Sequence, residues 1–254
     1  MKFNINRDVL LPVLQTVGGV IDRRQTLPIL EQTGELTLPA RKLLDICRAL
    51  PQEAELLFEV KNDRVLIKSG KSRFTLASLP AQEYPVIDIT ENAVSFNIKQ
   101  KKLESLLENT QFAMAQQDVR YYLNGLLLEI SSNKIRAVAT DGHRLALDES
   151  DIQVETDKPI QIIVPRKGIT ELTRLLQNDN SEIEIQISTN HIRVKNENSC
   201  FTSKLIDGRF PDYQRVIPEL SETPVLADRE ELRNSLTRAS ILSNEKYRGV
   251  RIVF

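Results

Sequence analysis

Cysteine, histidine and glycine are all scarce: the 254 residues hold two, two and nine of them. Cys47 and Cys200 lie far apart without metal-ligand spacing. The chain therefore carries no disulfide framework and no zinc motif; reduced thiols in a cytosolic protein are the expectation, a single pair the alternative. His143 follows Asp141 by two positions, but the other histidine is the distant His191, so no third ligand is in view. The motifs GxSxG and HExxH and a glycine-rich phosphate loop are missing too, which removes familiar hydrolase and nucleotide-binding signatures. No apolar run approaches the roughly 18 residues of a membrane-spanning helix. The opening MKFNIN has no apolar signal core. A net charge of −1 excludes a bulk polycation, so any nucleic-acid role must rest on where the charges sit.

What the chain does have is an internal repeat, the feature that decides fold class when present. Leu38–Ile87 registers on Val164–Pro218: Pro39 falls on Pro165, Arg41 on Lys167, Ile46 on Leu172, Arg48 on Arg174 and Leu50 on Leu176. After a one-residue shift, Leu56, Phe58 and Val60 meet Ile183, Ile185 and Ile187, and Phe74-Thr75 meets Phe201-Thr202. A second repeated unit opens at Phe3, Phe96 and Val225, with Leu10, Leu103 and Leu232 in one position and Leu14, Leu107 and Leu236 in another. The copies are unequal. Phe96 precedes Val164 by 68 residues, but Phe3 precedes Leu38 by 35, so about 33 residues are absent from the first copy near Leu30-Glu31. The expected domains are 1–93, 94–223 and an incomplete third at 224–254, joined by short linkers around Asp88–Asn92 and Pro218–Thr223.

Periodicity supplies the elements. Val9, Leu10, Val13, Leu14 and Val17 predict one face of a helix capped by Asn6 or Asp8. Helices are also expected at Pro39–Leu50, Lys99–Asn109 and Arg166–Gln177, with alternating strands at Leu56–Val60, Arg64–Lys68, Ser72–Leu79, Val119–Ile130, Lys134–Ala139, 182–188, 191–196 and 200–206. Each complete copy then reads β-α-β-β-β twice, an α+β fold in which two helices cover one face of antiparallel sheet. Cations gather on the helices (Arg41, Lys42, Arg48, Lys99, Lys101, Lys102, Arg166, Lys167, Arg174), whereas Glu53, Glu55, Glu59, Glu149, Glu155 and Glu182 sit in strands and loops. Helices facing one way would make one basic surface on a neutral chain; the plainer reading is a set of solvated helix faces.

Three strings, QDVRYYLNG (117–125), TDGHRL (140–145) and DGRFPDY (207–213), stand in order inside these repeats. With them the chain resembles the β subunit, or sliding-clamp, family of bacterial DNA polymerase III. The resemblance implies three DNA-clamp domains per chain, a head-to-tail homodimeric ring with helices around the hole, no active site, no cofactor of its own, and a place in the bacterial cytoplasm on the nucleoid. It implies as partners double-stranded DNA, and polymerases and a clamp loader that bind through short linear peptides. Carried over by motif, Arg24, Gln117, Tyr121, Tyr122 and Lys167 would touch DNA. A groove of Leu123, Thr140, Gly142, His143, Arg144, Leu145, Pro211, Arg215 and Val216 would hold the peptides. Lys71, Phe74 and Leu76 would meet Ile241 and Leu242 of the other subunit. Two rival readings are an Asp141/His143 hydrolase and an interaction scaffold without DNA.

Overall fold

A computed structural model describes residues 2–18, 26–31, 34–80, 94–156, 158–176, 179–197, 199–219, 225–243 and 249–253. It falls into two compact units, Met1–Phe210 and Pro211–Phe254. Both linkers predicted from sequence lie wholly or partly outside the described residues, as does Arg24.

The fuller half of the first unit follows the predicted pattern. Strand β7 (Val94–Lys99) leads into α3 (Gln100–Glu108), then β8 (Gly125–Ile130), β9 (Lys134–Thr140) and β10 (Leu145–Asp151). The pattern repeats as β11 (Ile160–Pro165), α4 (Arg166–Leu175), β12 (Glu182–Ile187), β13 (His191–Lys195) and β14 (Cys200–Lys204). Two antiparallel sheets result, ordered β10-β9-β8-β11 and β14-β13-β12-β7. The helices close over them, α3 on β7, β9 and β10, and α4 on β8 and β11. Alternation dictates the inner face: Leu126, Leu128, Ile130, Ile135, Ala137, Ala139, Ile162 and Val164 join Leu103, Leu106, Leu107, Ile169 and Leu172 in one core. Each fully buried leucine or isoleucine contributes about 1.5–3 kcal/mol over leaving it in water.

The opposite face of the β10-β9-β8-β11 sheet carries an apolar row beside the charged row of Glu149, Arg136 and Glu129. Leu127 pairs with Val138 and Ile163, and Val138 with Leu147, so one row of aliphatic side chains crosses all four strands. Leu127, Val138 and Ile163 are buried outside the helix-covered core. This apolar row is not legible from strand alternation alone.

The first half is reduced. Strand β1 (Lys2–Asn6), α1 (Arg7–Gly18) and β2 (Thr26–Glu31) precede β3 (Gly34–Pro39), α2 (Ala40–Ala49), β4 (Glu55–Lys61), β5 (Arg64–Ser69) and β6 (Ser72–Ala77). The sheet β1-β4-β5-β6 has four strands, but β2 and β3 pair only with each other. Helix α2 buries Leu43, Leu44, Ile46 and Cys47 in one cluster with Leu56, Phe58, Val65 and Ile67. The predicted face of α1 needs correction: Leu14 is buried, but Val9 and Val13 are exposed. Asn6, not Asp8, caps this helix, its Oδ1 accepting from Asp8 N at 2.7 Å.

The second unit holds a 3-10 turn at Tyr213–Val216 and α5 (Arg229–Ser240), where Asp228 caps the helix by accepting from Glu231 N at 2.9 Å.

Candidate nucleic-acid interface and binding pocket

Several strand cations are spent on carboxylates: Lys2 and Lys68 on Glu59, Lys134 on Glu149, and Arg136 on Glu129 and Glu149; Lys61, Arg64, Arg73 and Lys204, also on strands, are exposed without an ion-pair partner among the described residues. These contacts hold the Glu59 and Glu149 carboxyls below their ordinary range, Glu59 chiefly through Lys68 and Glu149 through Lys134 and Arg136. On α2 and at the start of α3, Arg41, Lys42, Arg48, Lys99 and Lys101 are exposed and have no ion-pair or hydrogen-bond partner among the described residues. Lys167 is exposed at the start of α4, and both it and Arg174, which meets Glu171 at 3.0 Å, have partners. Charges left without counterions on exposed helix faces are available to a polyanion.

The segment between α3 and β8 carries most of the predicted site. It is not the long strand expected from Val119 onward, because Tyr121–Asn124 forms a 3-10 turn. Asn124 closes that turn: its Oδ1 accepts from Asp118 N at 2.9 Å and its Nδ2 donates to Asp118 O at 2.8 Å. Gln117 takes a left-handed φ of 55°. Tyr121 is exposed, its ring meeting Tyr122 edge-on at 5.8 Å, and Leu123 is buried. A strand would have sent one ring inward; the turn leaves Tyr121 outside with Tyr122 half-covered.

The TDGHRL string forms a tight loop between β9 and β10. Asp141 Oδ1 accepts from His143 N at 2.9 Å and Arg144 N at 3.0 Å, while Oδ2 accepts from Arg144 Nε at 3.1 Å. Burial raises the Asp141 carboxyl, but these three donors together carry it below the ordinary carboxylate range. Asp141 is thus a turn clamp with its oxygens occupied, not a base aimed at a substrate. Thr140 Oγ1 donates to Arg144 O at 2.7 Å and accepts from Gly142 N at 3.1 Å. Gly142 has φ +88°, a left-handed conformation that favours glycine, and a Cβ there would lie 3.1 Å from Arg120 Nη2, the far end of a flexible side chain.

Around this loop is a cavity of about 350 Å³, lined by the guanidinium groups of Arg120, Arg144 and Arg166, by His143, and by Asp118 and Asp141. Arg120 grips Asp118 through Nε at 3.0 Å and Nη2 at 2.8 Å, and that side-chain contact leads the effects lowering the Asp118 carboxyl to about 2. Arg144 donates to Phe112 O at 2.8 Å and lies over the Phe112 ring at 5.6 Å. Arg166 donates to Met114 O at 2.9 Å. Sequence alone shows Arg166 only as a helix cation and does not single out Asp118 or Arg120; those two lie inside the QDVRYYLNG string, but nothing in their spacing announces the pairing.

The remaining predicted residues are distributed as follows. Pro211, Arg215 and Val216 belong to the second unit, all exposed, with Arg215 paired to Asp212 at 2.7 Å. Leu145 is half-buried in the first. Strand β6 is a sheet edge; there Lys71 is exposed, Phe74 half-buried, and Leu76 turned into the core. Ile241 and Leu242, at the end of α5, are 74% and 92% exposed.

The DNA polymerase III β subunit N-terminal-domain family matches residues 31–88, and its central-domain family matches residues 97–212. The β sliding clamp of Pseudomonas putida is 46% identical over 284 aligned positions, covering 99% of this chain and 77% of that protein. That of Escherichia coli K12 is 42% identical over the same shares. Among solved structures, the DNA polymerase III subunit β of Pseudomonas aeruginosa superimposes with a TM-score of 0.90 at 44% identity, over 97% of this chain and 76% of that one. The Bacillus subtilis polymerase sliding clamp does so with a TM-score of 0.85 at 27% identity, over 96% and 75%. Identity at this level over nearly the whole chain places it in one family: the chain belongs to the β subunits of DNA polymerase III, the β sliding clamps, which are non-catalytic processivity factors.

Proposed function

We propose that this chain pairs head-to-tail with a second copy to form a ring that encircles duplex DNA and tethers polymerases to it. The observation that carries the reading is the run of exposed cations on α2 and at the start of α3, Arg41, Lys42, Arg48 and Lys101, whose side chains have no ion-pair partner among the described residues. A ring retains DNA by topology, so a chain of net charge −1 needs only scattered phosphate contacts. Arg24, Gln117, Tyr121, Tyr122 and Lys167 are the proposed DNA contacts; exposure of Gln117, Tyr121 and Lys167 supports three of them.

Leu123, Thr140, Gly142, His143, Arg144, Leu145, Pro211, Arg215 and Val216 are the proposed groove for short peptides of polymerases and the clamp loader. A solved relative from Pseudomonas aeruginosa holds griselimycin. The proposed subunit contact joins the edge strand β6, with Lys71, Phe74 and Leu76, to Ile241 and Leu242 of the partner copy. Pairing there would remove an open sheet edge, and the exposure of Ile241 and Leu242 fits a surface awaiting cover. The domain division remains 1–93, 94–223 and 224–254. An alignment of 284 positions against a chain of 254 supports an internal shortfall of about 33 residues near Leu30-Glu31. The proposed setting is the bacterial cytoplasm on the nucleoid.

The test is topological. Protein loaded on nicked circular DNA should stay there and run off once the circle is linearised. Equal retention on both forms would remove encirclement, and salt-insensitive association with either would favour the scaffold reading. Ile241→Ala with Leu242→Ala should sediment as a monomer if the subunit contact is correctly assigned.

A further inference from the structure

We propose that Asn124-Gly125 is a latent deamidation site, closed in the folded chain and released when the turn before β8 opens. It is the one Asn-Gly dipeptide in the sequence. Glycine after asparagine favours this chemistry, because no side chain blocks the approach of its backbone nitrogen. Gly125 N attacks Asn124 Cγ and forms a C–N bond. The Cγ–Nδ2 bond breaks, and ammonia leaves with the amide proton, which gives a cyclic succinimide. Water then adds to either imide carbonyl. Opening at Cγ leaves aspartate; opening at the main-chain carbonyl leaves isoaspartate, with the backbone rerouted through the side chain. No catalyst is required.

The fold holds both reacting groups apart. The Asn124 amide is engaged at each end, Oδ1 accepting from Asp118 N at 2.9 Å and Nδ2 donating to Asp118 O at 2.8 Å. The turn around it is pinned by the buried Leu123, whose N donates to Arg120 O at 2.8 Å and whose O accepts from Ala115 N at 3.0 Å. Gly125, the nucleophile, is buried at the start of β8, opposite Pro165 of β11. It is enclosed so closely that a Cβ would lie 2.6 Å from Val164 O. Ring closure needs the Asn124 side chain and backbone to rotate together. That rotation breaks both side-chain bonds and pulls the start of β8 away from β11.

The products do not fit the place that asparagine leaves. A carboxylate has no N–H, so Asp118 O loses its donor and faces an acceptor instead. Isoaspartate adds a methylene to the backbone immediately before Gly125, where the packing leaves no room. A reversible opening thereby becomes a one-way loss, the general route by which chemical change of an open state makes unfolding irreversible. The segment lost with it carries Gln117, Tyr121, Tyr122 and Leu123.

Peptide mapping by mass spectrometry, with aspartate and isoaspartate forms separated, tests this on the whole chain at mildly alkaline pH. In urea, Asn124 should convert well ahead of Asn180 and Asn234, which serine follows. In buffer, Asn124 should convert at least about a hundredfold more slowly than in urea, since it reacts only from a small open fraction. Asn180, exposed in the fold, should change far less between the two. Leu123→Ala should loosen the turn and speed Asn124 conversion in buffer by about tenfold or more, with no effect in urea. When wild type aged in urea is refolded, chains converted at Asn124 should be depleted from the folded fraction. Equal Asn124 rates in urea and buffer would show that the fold does not guard the site. A rate in urea no faster than that of Asn180 would show that the dipeptide is not labile. Converted chains that refold as well as unconverted ones would remove the one-way step.

Discussion

The two halves of the first unit solve the same packing problem with different amounts of chain. In the fuller half, β11 pairs with β8 so that Pro165 faces Gly125 and Ile160 faces Ile130. In the reduced half, β3 pairs with β2 so that Pro39 faces Thr26 and Gly34 faces Glu31. The two pairings are equivalent; the hairpin that separates β8 from β11 has shrunk to the connection after Glu31, and no counterpart of β9 and β10 appears among the described residues. Hairpin and core are separable because the kept strand, β3 or β11, is the one that runs into the core helix. What goes missing is cover. The β9-β10 hairpin and its flanks supply Ile135, Ala137, Ala139, Ala146, Ile152 and Val154 to the core and lie over α3. By the repeat register, Val13 of α1 occupies the position of Leu106 of α3; Leu106 is 1% exposed and Val13 is 58% exposed.

That pair gives the largest expected contrast. Leu106→Ala leaves a cavity in a closed core and should cost about 2–5 kcal/mol in denaturant unfolding. Val13→Ala should stay within about 0.5 kcal/mol, the ordinary range for a surface site. A cost above about 1.5 kcal/mol at Val13 would mean that something covers α1 after all.

A second contrast concerns the loop. TDGHRL sits on the hairpin that the first half lacks, so each chain should bind one anchor peptide, never two. In titration calorimetry a Gln-x-x-Leu-Phe peptide should give a stoichiometry of one per chain. Leu145→Asp should weaken it at least tenfold, about 1.4 kcal/mol, by placing an unpaired carboxylate among apolar groups. A second equivalent site would show that the loop is not the determinant.

How much of this was readable beforehand depends on the range over which each signal acts. Helices α2 and α4 were legible because Pro39 and Pro165 open them and leucines recur at helical spacing; the TDGHRL and DGRFPDY strings were legible as motifs. The 3-10 turn at Tyr121–Asn124 was not. Val119, Tyr121 and Leu123 alternate as a strand would, and what overrides that is Asn124 reaching back to the Asp118 backbone, a contact that no periodicity encodes. The face of α1 was misread for a related reason: Val9 and Val13 fit a helical stripe, but the stripe is buried only where sheet lies over it. Arg120 is not legible from sequence, and Arg166 shows there only as one of the helix cations, because the cavity they line joins segments far apart in sequence.

The seam to the neighbouring sheet offers a smaller test. In the fuller half it is closed by backbone, Ile206 N donating to Ile163 O at 2.9 Å. The reduced half uses a side chain. Thr37 Oγ1, buried, accepts from Leu79 N at 2.9 Å and donates to Leu79 O at 2.8 Å. Thr37→Val should therefore cost about 1–2 kcal/mol by leaving Leu79 unpaired, and Thr37→Ser should recover most of it. If valine is neutral, water reaches the seam.

The least effect on stability is expected where the fuller half is most ornate. Asp118 is exposed enough that its pairing with Arg120 adds little to folding, yet its carboxyl lies at about 2 against the usual 3.8. The sign follows from the direction. A carboxyl that is more acidic in the folded chain favours folding above its unfolded value, and this contribution fades as pH falls from about 4 through about 2. Above pH 5 the Asp118→Asn variant should show a constant, small loss relative to wild type, and the two should converge at low pH. The sharper readout is local. In wild type the Asp118 carboxyl carbon should titrate near pH 2 by NMR, and Arg120→Gln should return it toward 3.8, since the Arg120 side chain is the leading cause of the shift. The amide of Gly142 should move with it, because Arg120 Nη2 also donates to Asp141 O at 3.4 Å in the same loop. A carboxyl that titrates near 3.8 in the wild type would show that the Asp118–Arg120 pair does not persist in solution, and with it would go the fixed orientation of Arg120 at the rim of the cavity.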